Sequence, residues 1–166
     1  MTTTLLKPEA LAAIGTTESG TVKIVARDFQ RWAAAAGDRN PLYFDATYAK
    51  AHGHRDVVMP RLFLSVRLDN VTHPDALRPD GTPQSLDQGM PLPPRRMAGS
   101  EKWEFHAEAY PNDTIKWRRE LVALDEKQGR SGPFILITWV TRFTHIDGEL
   151  VAINTNTLLA LPGKRE

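Results

Sequence analysis

Hydrophobic and polar positions change rhythm once along this chain, near residue 100, dividing it into a helical first part and a stranded second part. Pro8 to Ile14 reads as a short helix, opened by a proline and stopped by Gly15. Val22 to Val25 reads as a first strand. From Asp28 onward, Phe29, Trp32, Ala33 and Ala36 fall on one helical face, and Gly37 supplies the stop. Asp45 is placed to cap a helix over Ala46 to His52, which Gly53 closes. After Pro60, Leu62, Phe63, Val66 and Asn70 recur at helical spacing, so a longer helix is expected over Leu62 to Val71.

Between His73 and Gly99 the chain holds six of its twelve prolines and no sustained period. A loop of that length inside a domain is usually functional or mobile. Four strands follow, at about Ser100 to Tyr110, Thr114 to Glu126, Pro133 to His145 and Glu149 to Leu161. Trp103, Phe105 and Ala107 alternate, as do Ile115 and Trp117, whereas Phe134 to Val140 is apolar almost throughout and reads as buried on both faces. Turn residues separate the strands at Pro111-Asn112-Asp113, Gln128-Gly129 and Asp147-Gly148, the last a two-residue hairpin signal. Helices followed by an antiparallel meander imply an α+β fold in a single domain over residues 1–166. Its curved sheet must hide one face against a helix, and Leu62 to Val71 is the expected cover.

Composition narrows the partners. Twenty-one basic and 20 acidic residues leave a formal charge of +1, too even for a field that would hold nucleic acid or an anionic membrane. An apolar fraction of 41% over 166 residues suffices for one core. The absence of cysteine excludes disulfides, Cys-based zinc sites and a thiol nucleophile. No stretch approaches the roughly 20 apolar residues of a membrane span, and the start of the chain is polar, so a cytoplasmic protein is expected. No metal or cofactor is expected.

Candidate chemistry concentrates in Gly37-Asp38-Arg39-Asn40-Pro41-Leu42-Tyr43-Phe44-Asp45, followed by Tyr48-Ala49. This segment resembles the signature of the MaoC-like hot-dog hydratases, G-D-x-N-P-[IL]-H-x-D-x-x-Y-A. Val57 to Phe63, Trp103-Glu104-Phe105, Glu126 to Gly132 and Asp147 to Ala152 look still more like the N-terminal, FAS1-like dehydratase branch of that family. The resemblance spans roughly residues 20 to 160. It implies a hot-dog fold, an antiparallel sheet wrapped around a long central helix, with two such units side by side and a thioester between them. It also implies reversible hydration of a 2-enoyl thioester of coenzyme A or of an acyl carrier protein, usually to the (R)-3-hydroxyacyl product. In catalytic relatives the motif's Asp and His hold and activate water, and a backbone N–H at the start of the central helix polarises the thioester carbonyl.

Carried over residue by residue, the resemblance meets two departures. Asp38 matches the catalytic aspartate, but Tyr43 stands where the histidine belongs. A phenol titrating near 10 is a poor general base beside an imidazole near 6.5. Pro60-Arg61 stands where catalytic relatives carry His-Gly, and an arginine side chain crowds a point where glycine allows close approach. Substrate contacts are expected from Asn40, Pro41, Tyr43, Met59, Pro60, Arg61 and Phe63. Such incomplete units resemble the substrate-accommodating halves of double-hot-dog enzymes, whose second unit brings a complete Asp/His pair. A heterodimer or heterotetramer is therefore expected, with a homodimer as the alternative assembly. A stand-alone acyl-thioester binding module and a hot-dog acyl-CoA thioesterase are the competing functions.

The same residues have plainer roles. Asp38 and Asn40-Pro41 suit a turn, and Tyr43 suits core packing. His52 and His54, the histidines nearest the motif, read as loop residues. Arg95, Arg96, Lys116, Arg118 and Arg119 could meet phosphates at a tunnel mouth, but a solvated sheet edge explains them as well.

Overall fold

The computed structural model describes residues 4–66, 73–77, 79 and 90–163. Five strands form one antiparallel sheet: β1 (Thr17–Lys23), β2 (Arg95–Phe105), β3 (Thr114–Gly129), β4 (Gly132–His145) and β5 (Leu150–Leu161), in the order β1-β3-β4-β5-β2. The four later strands are thus not a simple meander. β2 lies at the far end of the strand order, paired with β5, while β1 occupies the place beside β3. Among the described residues three α-helices precede β2: α1 (Pro8–Leu11), α2 (Ala26–Ala35) and α3 (Ala46–Ala51).

Pairing register fixes which side chains share the inner face, because partners directly opposite point the same way. One row runs Gly20, Trp117, Phe143, Ala152, Phe105; the next runs Glu18, Arg119, Thr141, Asn154, Trp103. Beyond them come Leu121, Trp139, Asn156 and Glu101, then Leu124, Ile137, Leu158 and Ala98. The apolar rows separate into two cores. The first joins Ile115, Trp117, Phe143, Val151 and Ala152 to Phe29 of α2 and to Val57, Met59, Phe63 and Leu64. The second joins Leu121, Leu124, Ile135, Ile137 and Trp139 to Ala10 of α1, with Leu5, Leu6, Met90 and Leu92 against it. Between the cores, Arg119, Thr141 and Asn154 form a buried polar band.

Several expected boundaries are corrected. The first strand is Thr17–Lys23, ending before Val25. Its inner positions Glu18 and Gly20 carry no apolar signal, since the Trp117 ring fills the space at Gly20 so tightly that an added Cβ would sit 2.8 Å from it. β2 starts at Arg95, inside the expected loop, and stops at Phe105. The β3–β4 turn is Arg130-Ser131, since Gly129 and Gly132 still pair. The β4–β5 turn is a three-residue loop rather than two: His145 N–H donates to Glu149 O and Gly148 N–H to His145 O.

The largest correction concerns the expected long helix at Leu62 to Val71. Arg61–Ser65 is a 3-10 helix, and Val66 leaves it extended, at φ −90° and ψ 97°. Residues 67–71 of that expectation lie outside the described residues. Leu62 and Val66, two positions of the anticipated buried stripe, are exposed. Among the described helices, α2 takes the place beside the first core, with Phe29 and Ala33 both fully buried. Of the expected loop over 73–99, residues 74–76 form a further 3-10 turn, and 78 and 80–89 lie outside the described residues.

Candidate functional site

The motif begins where α2 ends. Gly37 adopts φ +71°, donating its N–H to Ala34 O (3.1 Å) while Asp38 N–H reaches Ala33 O (2.9 Å), the paired bonds of a glycine helix stop. Asp38 Oδ1 then accepts Asn40 N–H (3.1 Å), and Asn40 Oδ1 accepts Leu42 N–H (3.1 Å). These two side-chain turns fold the chain back, and Pro41 fixes the single helical turn Pro41–Tyr43. Tyr43 O accepts from Gln30 Nε2 at 2.9 Å, tying the turn to α2. Asp45 caps α3 by accepting from Thr47 and Tyr48 N–H at 2.8 and 3.0 Å.

The opposite wall is the segment leading into Arg61–Ser65. Val58 N–H donates to Leu42 O (2.8 Å) and Met59 N–H to Ala109 O (2.9 Å), holding this segment between the motif and the end of the sheet. Arg61 turns towards Glu108: Nε and Nη2 both reach Glu108 Oε1, at 3.2 and 2.6 Å. The hydrogen bond to Glu108, then its charge, raises the Arg61 pKa, so the guanidinium is held charged. It also sits 5.8 Å over the Phe105 ring.

These walls enclose a cavity of about 550 Å³. Of the expected site residues, Asp38, Asn40, Tyr43, Met59, Pro60 and Arg61 line it together. Two do not. Phe63 is core, 2% exposed, with its ring edge-on to Phe29 (6.2 Å) and Trp32 (6.0 Å). Pro41 shapes the turn without lining the cavity. Trp32, Leu42, Val58, Leu62 and Glu108 also line the walls and were not expected at the site from the sequence. Glu108 has no local signal, because its partner Arg61 lies 47 residues away.

The two motif-proximal histidines part company. His52 stacks on Tyr48 at 4.0 Å and bonds Tyr48 O through Nδ1, outside the cavity. His54 lines the cavity, with Nδ1 3.1 Å from the Tyr110 hydroxyl. Burial, foremost, and then the nearby Glu108 charge push the Tyr110 phenol above its ordinary value, so it stays protonated. Arg55 covers the Tyr110 ring at 4.3 Å and pairs with Asp113, whose second oxygen accepts Tyr110 N–H at 2.9 Å.

The basic residues also divide. Arg119 is buried on the inner face, 4.1 Å over Trp139 and 4.0 Å from Glu18. Lys116 and Arg118, with Arg142, line a separate groove of about 510 Å³ beside Trp117 and Gly20, away from the motif cavity. Arg95 and Arg96 belong to β2. Among the described residues no three His, Cys, Asp or Glu side chains gather as metal ligands, and no helix is long and apolar enough to cross a membrane.

Comparison with known proteins agrees with the fold. Residues 12–154 match the family described as the FAS1-like, dehydratase domain region. A UPF0336 protein of Parafrankia sp. is 31% identical over 132 residues, 79% of each chain. A MaoC-like dehydratase superposes with TM-score 0.73 at 20% identity over 93% of this chain, which spans only 44% of that protein. The ChsH1–ChsH2 complex of Mycobacterium tuberculosis gives TM-score 0.70 at 22% identity, covering 93% of this chain and 95% of that one. The HadBC (3R-hydroxyacyl-ACP dehydratase) complex of the same organism gives 0.68 at 19% identity, covering 89% and 96%. The fold is the hot dog.

Proposed function

Because the chain belongs to the FAS1-like dehydratase domain family, we propose that it is the substrate-accommodating half of a two-subunit enoyl-thioester hydratase, or 3-hydroxyacyl-thioester dehydratase. One observation carries this reading: Asp38, Asn40, Tyr43, Pro60 and Arg61 surround a single cavity, yet Tyr43 occupies the place of the motif's base. The cavity can receive a thioester, but the chain's own acid–base pair is incomplete.

Hydration adds a water hydroxyl to C3 of the enoyl group and a proton to C2; dehydration removes both. The water must lose a proton as it attacks C3, which calls for a base titrating near neutrality. Asp38 has one oxygen committed to its own turn, and Tyr43 is a phenol. A second hot-dog subunit with the complete Asp/His pair supplies that base, and the thioester of coenzyme A or of an acyl carrier protein lies between the two. The HadBC relative is itself a complex, which supports pairing.

A second reading has one observation in its favour: His54 faces the same cavity, and an imidazole there would give the isolated chain a base of its own. Stand-alone binding without turnover, and thioester hydrolysis, are the remaining alternatives. Purified chain assayed with a 2-enoyl-CoA and with a saturated acyl-CoA separates them. The expected outcome is binding with at most weak hydration and no hydrolysis. Full hydration that is lost in His54→Ala establishes the second reading instead, and hydrolysis of the saturated thioester establishes a thioesterase.

A further inference from the structure

Asp38 and His54 reach the motif cavity by the same device. Each follows a positive-φ glycine that ends a helix: Gly37 at φ +71° closes α2, and Gly53 at φ +86° closes α3, with Gly53 N–H on Lys50 O (3.1 Å) and His54 N–H on Ala49 O (3.1 Å). Both side chains line the cavity. What His54 can do there depends on which ring nitrogen carries the proton, and that is set by the bond the other nitrogen makes. Its Nδ1 lies 3.1 Å from the Tyr110 hydroxyl, which has no other hydrogen-bond partner among the described residues. Tyr110 is itself held in place: its N–H is bonded to Asp113, and its ring lies under the Arg55 guanidinium that Asp113 also holds.

The chemistry of the pair decides the tautomer. A phenol O–H is a far stronger acid than a neutral imidazole N–H, and an imidazole nitrogen is a better acceptor than a phenol oxygen, so the stable arrangement has Tyr110 donating to Nδ1. The imidazole proton then sits on Nε2. Protonating the ring does not change this, since both nitrogens of an imidazolium carry hydrogen. Nε2 bonds none of the described residues and is open rather than buried, and Tyr110 lies outside the cavity that His54 lines, so the unbonded edge of the ring is the one left for the cavity. Asp38 and Glu108 bring only acceptors to that space, and Arg61 is committed to Glu108. An N–H on Nε2 can meet an acceptor oxygen but cannot take a proton from water. Within a thioester group that acceptor is the carbonyl oxygen, the sulfur being a weak one.

Resting on the proposed thioester-binding role, we infer that His54 is a hydrogen-bond donor to the thioester carbonyl oxygen rather than a base, with Tyr110 as the positioning residue that fixes its tautomer. The test measures binding of octanoyl-CoA and of its thioether counterpart S-octyl-CoA, which lacks the carbonyl oxygen, to the purified chain and to His54→Ala, His54→Gln and Tyr110→Phe. His54→Ala is expected to weaken octanoyl-CoA about tenfold, the loss of one hydrogen bond, and to leave S-octyl-CoA nearly unchanged, which also shows that the variant is folded. His54→Gln keeps a side-chain N–H and should recover most of the loss. Nitrogen NMR of the histidine rings at about pH 8, above the ordinary imidazole value, should find the proton of His54 on Nε2 in the wild type and shared between the two nitrogens in Tyr110→Phe. A wild-type ring protonated on Nδ1 alone overturns the inference. So does a His54→Ala loss that is equal for the two ligands, which would make the role one of packing, and so does a carbonyl preference that survives in His54→Ala, which would place the contact on another side chain. All three leave the thioester-binding role standing. No binding of octanoyl-CoA to the wild type overturns that role and the inference with it.

Discussion

The two apolar cores rest on the same strands, yet they are closed by different means and do different work. The first lies under α2 and the 57–64 segment, elements that also form the walls of the motif cavity. The second lies under α1 and a few residues from the start of the chain, and no expected site residue touches it. Building and closing a sheet therefore takes little sequence, whereas shaping a cavity takes a run of capped turns. The first core is tied to the walls of the motif cavity; the second is not.

Large-to-small substitutions break this comparison most strongly. Phe29→Ala should cost about 3–5 kcal/mol and also weaken acyl-CoA binding, because Phe29 supports Phe63 and, through it, Trp32 of the cavity wall. Leu121→Ala, fully buried in the second core, should cost about 2–5 kcal/mol while leaving binding per folded molecule intact. Chemical denaturation paired with calorimetric titration distinguishes the two. Equal binding losses would show that the cores act as one.

Smaller changes sharpen the difference. Asp45→Ala removes an N-cap holding two N–H groups and should cost about 1 kcal/mol in denaturant unfolding. Asp38→Asn should lower the activity of a reconstituted complex less than tenfold, since the amide oxygen can still accept Asn40 N–H and the proposed function assigns the principal base to a partner. A loss of several orders of magnitude with the fold intact would make Asp38 catalytic.

What was legible in the sequence follows the same division. α2, α3 and their stops were readable because each is set locally: Gly37 and Gly53 take positive φ, and Asp45 bonds residues two and three positions on. That Asp38, Tyr43 and Arg61 line one cavity could be expected only through the family resemblance, since no periodicity reports that residues 38 and 61 face the same space. β1 was misplaced because an edge strand facing a tryptophan needs a glycine rather than an apolar residue at that row. The Leu62–Val71 stripe misled for a related reason. Its apolar residues split, with Phe63 and Leu64 buried and Leu62 and Val66 exposed, because the segment is a 3-10 turn that Val66 leaves extended, and the expected face of Leu62, Phe63 and Val66 is not the buried one. Tertiary partners 47 residues apart, such as Arg61 and Glu108, leave no trace in spacing at all.

The weakest expected effect lies at the second core. Glu126 Oε2 accepts from Thr4 Oγ1, Leu5 N–H and Leu6 N–H, and these bonds, the Thr4 hydroxyl foremost, lower its pKa. A depressed carboxylate stabilises the folded state fully above its unfolded value of about 4.3, and that contribution is lost as pH falls through the lowered value. Protection of the Leu5 and Leu6 amides, relative to their intrinsic exchange at each pH, should therefore fall on acidification below the unfolded value, and in Glu126→Gln already at neutral pH, with cavity residues unaffected. Protection that is insensitive to both changes would remove Glu126 as the tether.

The central claim, that this chain accommodates a thioester which a second subunit hydrates, is tested most directly by assaying 2-enoyl-CoA hydration with the chain alone and co-purified with a hot-dog subunit bearing the full Asp/His pair, with mass measured by light scattering. The account predicts a stable hetero-oligomer that turns over and an isolated chain that scarcely does. Full turnover by the isolated chain, or a mixture that neither associates nor gains activity, would contradict it.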